Sequence, residues 1–247
     1  GTHIPFFNMT DNKFLRFFVY WVGRDIDLSA TLHDEEFNMV NHISYQNLRV
    51  TGAKSPIAYH SGDIVDAPTG ASEFIDIDLV ETKKLGIRYI VMNVLVYSGE
   101  TFANHSECFA GWMFREFPKS NEIFEPKTVA NKFDITANSK NVIPAIFDIV
   151  KNEVIWCDLT FYFQQYINNV LNNKTDIETV LKSVVADEKF NLYDLFMLHI
   201  KARNGKLVED ISEANTIYSL HTISNINEDV INITAHDIDI INSEYII

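Results

Sequence analysis

The sequence predicts a mainly β protein: a two-sheet antiparallel β-sandwich followed by a C-terminal α-helical extension. Three observations support this fold class. Short apolar runs with strand-like alternation recur up to residue 160, no long helical pattern separates them, and the apolar spacing becomes helical beyond that point. We therefore expect an N-terminal arm or expression remnant (1–13), a β-sandwich (14–160) and a helical extension (161–247).

Nine runs in the first part of the chain have strand character. The alternation is clearest in 74–79, where we expect the apolar residues to face the core and Asp76 and Asp78 to face solvent. Residues 87–97 are almost continuously apolar, which is typical of a central strand that is buried on both faces. A hairpin turn is expected at 148–153. The nine runs are 14–22, 25–32, 42–50, 74–80, 88–97, 109–116, 132–136, 142–149 and 153–159.

Beyond residue 160 the apolar residues recur at helical spacing. Thr175, with Glu178 three positions later, forms a capping box at the start of one expected helix. Asn204 and Gly205 form a typical helix stop, and Thr234 is the expected N-cap of the last helix. The expected helices span 162–171, 176–185, 192–202, 212–215 and 234–245.

The charge balance excludes several classes of partner. The 247 residues include 34 Asp and Glu against 20 Lys and Arg, which gives a formal net charge of −14. Such a surface repels nucleic-acid backbones and anionic membranes. No apolar stretch approaches the roughly 20 residues of a spanning helix. The two cysteines, Cys108 and Cys157, form no disulfide framework and indicate a reducing compartment, so we expect a cytoplasmic protein.

Two acidic segments could hold a metal ion. Asp25 and Asp27 follow a turn and lead into a strand, whose alternation predicts that Ile26 and Leu28 face the core and that the two aspartates lie on the opposite face. Asp63, Asp66 and Glu73 belong to a Gly- and Pro-containing loop region. Calcium prefers six to eight oxygen ligands from carboxylate-rich loops, and two loops at one end of a sandwich could supply them. Asp and Gly are also good turn formers, so the residues alone leave both interpretations open.

Four motifs follow one another in the predicted sandwich: Asp25–Thr31 (DIDLSAT), Ile43–Arg49 (ISYQNLR), His60–Asp63 (HSGD) and Glu73–Leu79 (EFIDIDL). Their order resembles the TerD-type tellurium-resistance and stress-response family, and the likeness extends over roughly residues 14–160. The tail at 191–205 is similar to the helical extension of large bacterial TerD-related proteins that also carry a RING-like zinc module. The corresponding cysteine cluster is not present in this sequence, and with the starting tripeptide Gly-Thr-His we expect a fragment of a longer protein.

The resemblance implies a calcium-binding sandwich with two neighbouring ion sites in its loops. Asp25, Asp27, Asp63 and Glu73 match acids of the family. Ser29 stands where the family often has Asp, and Ile64 replaces an Asn. Asp66 could compensate for the side-chain oxygens that these replacements remove. The resulting candidate metal-site residues are Asp25, Asp27, Ser29, Asp63, Ile64, Asp66 and Glu73.

The function implied is that of a calcium-binding, non-enzymatic module of a cytoplasmic stress-response protein. Its expected partners are calcium ions and other domains of the same longer chain or of a stress-response complex. Two alternatives remain open. Ser29, Ile64 and Ser72 lower the ligand count, which favours a metal-free interaction scaffold, whereas a metal-assisted hydrolase would need His60 as its general base.

Overall fold

The computed structural model of the protein divides into two compact units, Gly1–Glu188 and Lys189–Ile247, and each is described by itself. The residues that the structure describes are 2–5, 14–52, 55–97, 99–115, 126–161, 168–186, 192–219, 221–224, 226–227 and 229–246.

Strands dominate the described residues. The helices are α1 (Leu79–Lys84), α2 (Lys174–Ala186), α3 (Leu192–Ala202) and α4 (Ile238–Tyr245). The strands are β1 (Thr2–Pro5), β2 (Phe14–Arg24), β3 (Ile26–His33), β4 (Met39–Ile43), β5 (Arg49–Thr51), β6 (Pro56–His60), β7 (Asp66–Asp78), β8 (Tyr89–Val96), β9 (Glu107–Arg115), β10 (Val129–Asp134), β11 (Asn141–Asp148), β12 (Glu153–Phe161), β13 (Thr216–Ser219) and β14 (Ile231–Thr234).

Two six-stranded sheets form the first unit, which confirms the predicted mainly β sandwich. The strand orders are β1-β12-β11-β8-β3-β4 and β10-β9-β2-β7-β6-β5. Every pairing within these two sheets is antiparallel. The chain passes from the second sheet to the first between β2 and β3, so Asp25 lies at this crossing.

The main core fills the space between the sheets. Ile26 and Leu28 of β3 point into it, as the alternation predicts, together with aromatic side chains of β2, β9 and β11. The ring of Phe147 lies 5.2 Å from Phe17 and 5.3 Å from Trp112, centroid to centroid. Burying each such side chain stabilises the fold by about 1.5–3 kcal/mol. The opposite face of β3 consequently carries its polar residues.

A second apolar cluster covers the outer face of the first sheet. Val91 and Leu95 of β8 pack there with Ile177 and Leu181 of α2. The Glu178 carboxylate of α2 also accepts the backbone N–H of the strand β4 residue Met39 at 2.7 Å. Hence α2, which the sequence analysis assigned to the extension, is part of the first compact unit.

The second unit packs α3 and α4 with a two-stranded parallel sheet of β13 and β14. The predicted helix 192–202 is confirmed as α3. The predicted helix at 212–215 is instead a 3-10 turn, Ile211–Glu213. The prediction for 234–245 is wrong at its start. Thr234 ends β14, and the Asp237 carboxylate accepts both its N–H and its hydroxyl at 2.8 Å, so α4 begins only at Ile238.

Four other expectations need correction. Asp76 does not face solvent, because it pairs with Arg16 opposite it on β2. Asp78 caps α1 by accepting the N–H groups of Val80 and Glu81, so β7 ends at Asp78, two residues before the predicted end of the strand at residue 80. The predicted strand 42–50 is divided into β4 and β5 by a turn at 44–47. Of the predicted helix 162–171, residues 162–167 lie outside the described residues, and the remainder forms a turn.

Candidate metal site

Three carboxylates from two parts of the chain meet at one end of the sandwich. Asp25 lies at the crossing between the sheets, Asp27 in β3, and Asp63 in the loop between β6 and β7. Oxygen atoms of the three lie within 4.8 Å of one another, which is the only such group of metal-ligating side chains among the described residues. Gly62 adopts φ +125°, a conformation that favours glycine, and so allows the loop to turn just before Asp63.

Two of these carboxylates have buried oxygens without a hydrogen-bond partner among the described residues: Oδ1 of Asp25 and Oδ2 of Asp27. Burial, followed by repulsion from Asp25, Glu73 and Asp63, raises the pKa of Asp27 from 3.8 to about 8. Burial and repulsion from Asp63, Glu73 and Asp66 raise the pKa of Asp25 to about 6. A divalent cation would supply the missing partner and offset the repulsion, so these side chains fit a metal ion.

Glu73 connects the two chain segments that carry the acidic cluster. Its side chain is fully buried, with Oε2 accepting the Leu28 N–H at 2.9 Å and Oε1 accepting the Ile64 N–H at 3.0 Å. These bonds tie β3 to the loop that carries Asp63. Both carboxylate oxygens are thus already engaged by the backbone, and Glu73 adds negative charge to the cluster without joining it.

His60 is fixed by backbone groups on both ring nitrogens. Nε2 lies 2.9 Å from the carbonyl oxygen of Leu28, and Nδ1 lies 3.1 Å from the N–H of Gly62. The carbonyl requires a donor and the N–H requires an acceptor, so this geometry selects the neutral tautomer with its proton on Nε2. Both nitrogens are therefore occupied in a buried ring that is 6% exposed.

The remaining three candidates, Ser29, Ile64 and Asp66, are not members of the three-carboxylate cluster. Ser29 is buried on the same side of β3 as Asp27, two residues further along. Ile64 packs its side chain against the core, so only its backbone carbonyl could contact an ion. Asp66 is exposed at the start of β7, opposite Arg24, and acts on Asp25 through its charge.

Tyr45, which is influenced by the charges of Asp27 and Asp63, and Asn169, which contacts Tyr45, were not among the sequence-predicted site residues. Tyr45 sits in the turn closed by two backbone hydrogen bonds between Ser44 and Asn47, at 3.2 and 2.9 Å. Burial and the nearby charge of Asp27 raise its pKa, while a hydrogen bond from the Asn169 side chain opposes this effect. Tyr45 belongs to one of the quoted motifs, whereas nothing in the sequence distinguishes Asn169 from other asparagines nearby.

The two-sheet architecture with its acidic loops is a TerD-like fold. One similar solved structure is SCO6318 from Streptomyces coelicolor A3(2), a homologue of telluride resistance protein (TerD), with a TM-score of 0.50, 12% identity, and coverage of 67% of this chain and 98% of that chain. Another is SAV2460, a protein of unknown function, with a TM-score of 0.50, 12% identity, and coverage of 67% and 97%. At this identity the likeness concerns the fold alone.

Sequence comparisons add no relative, because neither a protein-family model nor a curated protein matches the chain. Among the described residues, no helix is long and apolar enough to cross a membrane.

Proposed function

We propose that the first unit is a calcium-binding, non-enzymatic module of a cytoplasmic stress-response protein. The observation that carries the proposal is the pair of buried, unpartnered oxygens on Asp25 and Asp27 beside the carboxylate of Asp63. A buried carboxylate without a partner is costly, and proteins retain such a group where a ligand compensates for it.

The choice of calcium rests on ligand chemistry and on the resemblance. Among the described residues, the cluster consists of the carboxylate oxygens of Asp25, Asp27 and Asp63, with no sulfur or imidazole ligand. Hard oxygen donors in such a setting suit calcium, whereas magnesium demands a more rigid octahedral site and keeps more of its waters. The exposed Asp63 leaves one side of the cluster open for the ion to enter.

The proposed role in a stress response is supported by similarity in fold and by the motif resemblance. SCO6318 is described as a homologue of telluride resistance protein (TerD), and the motifs of this chain resemble the same family. Cytoplasmic location is supported by the two free, buried cysteines. We expect partners among other domains of a longer chain or the members of a stress-response complex.

The contacts of His60 argue against the hydrolase alternative. This was the general base that the sequence suggested, and both of its ring nitrogens are bound to backbone groups. The metal-free scaffold stays the competing proposal, because Ser29 and Ile64 reduce the number of side-chain oxygens in the site.

Calorimetry on the full chain distinguishes these proposals. Calcium, and magnesium in a parallel titration, is added in about 0.15 M salt, which screens weak surface binding. We expect calcium to bind and to raise the melting temperature, Asp63→Asn to weaken it sharply, and Asp134→Asn, an exposed acid on β10, to leave it unchanged. The absence of heat and of a thermal shift in the parent would favour the scaffold, and a preference for magnesium would reject calcium as the resident ion.

A further inference from the structure

The loop that carries Asp63 is fixed on both sides of this residue by buried side chains. The N–H of Gly62, which precedes Asp63, donates to Nδ1 of His60 at 3.1 Å. The N–H of Ile64, which follows Asp63, donates to Oε1 of Glu73 at 3.0 Å. Because peptide groups are planar, holding one on each side of Asp63 leaves its main chain little freedom to move.

The same two side chains hold the residue beside Asp27 on β3. Oε2 of Glu73 accepts the Leu28 N–H at 2.9 Å, and Nε2 of His60 donates to the Leu28 carbonyl oxygen at 2.9 Å. Nε2 of His60 also lies 3.3 Å from Oε2 of Glu73, and neither side chain is exposed. The two residues therefore form one buried unit, the His60–Glu73 clamp.

The clamp bridges the two sheets and is complete without an ion. His60 ends β6 and Glu73 lies in β7, two neighbouring strands of the second sheet, whereas Asp27 belongs to the first sheet. The clamp binds backbone groups next to Asp27 and Asp63 and leaves their carboxylates free. Oδ2 of Asp27, for example, is buried without a hydrogen-bond partner among the described residues.

We propose that His60 is a positioning residue of the cation site: together with Glu73 it holds the carboxylates of Asp27 and Asp63 at a set spacing in the ion-free protein. The proposal rests on the proposed cation binding and gives His60 no contact with the ion. Ligands that are already held in place bind more tightly, because less conformational freedom is lost when the ion enters. Removing a group that orients metal ligands typically weakens binding about 10- to 100-fold.

Two substitutions separate the two contacts of the His60 ring. His60→Gln can place an amide N–H near the position of Nε2 and so keep the bond to the Leu28 oxygen, but it supplies no acceptor for the Gly62 N–H. His60→Asn can place its oxygen near the position of Nδ1 and accept that N–H, but it is too short to reach Leu28. Each variant therefore opens one side of the clamp.

The matched control is His33→Gln. His33 is the last residue of β3, at the far end of the strand from Asp27, and it is fully buried. Its ring nitrogens contact the Thr31 hydroxyl at 2.8 Å and the Phe37 carbonyl oxygen at 3.1 Å. The control thus removes contacts of an equally well bonded buried histidine without touching the clamp.

Calorimetry measures the calcium affinity of the full chain well below its melting temperature, and hydrogen exchange follows the Gly62 amide without calcium. We expect His60→Gln and His60→Asn each to bind calcium roughly tenfold more weakly than the parent. His33→Gln should keep the parental affinity, although it also lowers the melting temperature. The Gly62 amide should exchange slowly in the calcium-free parent and in His33→Gln, and faster in His60→Gln.

Parental calcium affinity in either His60 variant would overturn the inference and leave calcium binding intact, as would an equal loss of affinity in His33→Gln. A Gly62 amide that is protected in the parent only after calcium is added would also overturn it, and this measurement needs no variant. A parent that binds neither calcium nor magnesium would instead overturn the proposed function, and the inference with it.

Discussion

Two aspartates of the sandwich are equally buried, each with 2% of its surface exposed, and yet differ in what surrounds them. Asp76 on β7 receives two hydrogen bonds from Arg16 at 2.5 and 2.6 Å, a third from Tyr59, and a longer contact from Arg115. Asp27 on β3 has an oxygen that no other described residue contacts by a hydrogen bond, and it has three acidic neighbours. Burial alone is therefore no guide to role: the paired carboxylate belongs to the framework, and the unpaired one lies where a ligand is missing.

The largest expected effect on stability comes from removing the charge of the paired aspartate, Asp76. Asp76→Asn removes the negative charge that offsets the buried guanidiniums of Arg16 and Arg115. We expect a loss of about 3–5 kcal/mol in the free energy of unfolding, measured by urea denaturation. Calcium affinity of the folded fraction should stay unchanged. A loss below about 1 kcal/mol would show that this network contributes little to the fold.

The next effect concerns the pH dependence of the calcium-free protein. The pKa of Asp27 is about 8 in the folded state against 3.8 when unfolded, so the folded state holds its proton longer. This contribution to stability is fully present below about pH 4 and is lost as the pH rises towards 8. Asp27→Asn should therefore be more stable than the parent at pH 8, by on the order of a few kcal/mol, and should differ little near pH 4.

Urea denaturation at several pH values measures this difference, with saturating calcium as the counterpart. Saturating calcium should restore the stability of the parent at pH 8 and should leave the stability of Asp27→Asn almost unchanged. If stability depended on pH in the same way in both proteins, Asp27 would not be the group whose ionisation destabilises the calcium-free fold.

A smaller effect on stability distinguishes the structural role of Glu73 from the ligand role of the cluster carboxylates. Glu73→Gln keeps one acceptor oxygen, so the N–H of either Leu28 or Ile64 loses its buried partner. We expect a loss of about 1–3 kcal/mol in the calcium-free protein, whereas Asp66→Asn, at an exposed site, should change stability very little. If Glu73→Gln reduced calcium affinity without any loss of stability, Glu73 would be a ligand and not a support.

The sequence predicted the sandwich because period-two alternation depends only on neighbouring residues. Alternation placed Ile26 and Leu28 in the core and Asp27 on the opposite side, and the structure agrees. It also placed Asp76 away from the core, correctly, but could not show that Arg16, 60 residues earlier in the chain, would bury it. Solvent exposure depends on such distant partners.

The candidate site was partly predictable for the same reason. Acidic loops at one end of a sandwich can be read from composition, and the structure does bring Asp25, Asp27 and Asp63 together. The engagement of Glu73 by two backbone N–H groups depends on the relative placement of β3 and a loop. The contact of Asn169 with Tyr45 depends on a turn whose neighbours in space are far away in sequence.

The most direct test is a calcium titration of the parent and of Asp27→Asn by calorimetry at pH 7, repeated in two buffers with different ionisation enthalpies. We predict that calcium binds to the parent and releases about one proton, because the Asp27 carboxyl must ionise to accept the ion, and that Asp27→Asn binds far more weakly without this release. No binding by the parent, or the same affinity in both proteins, would contradict the account.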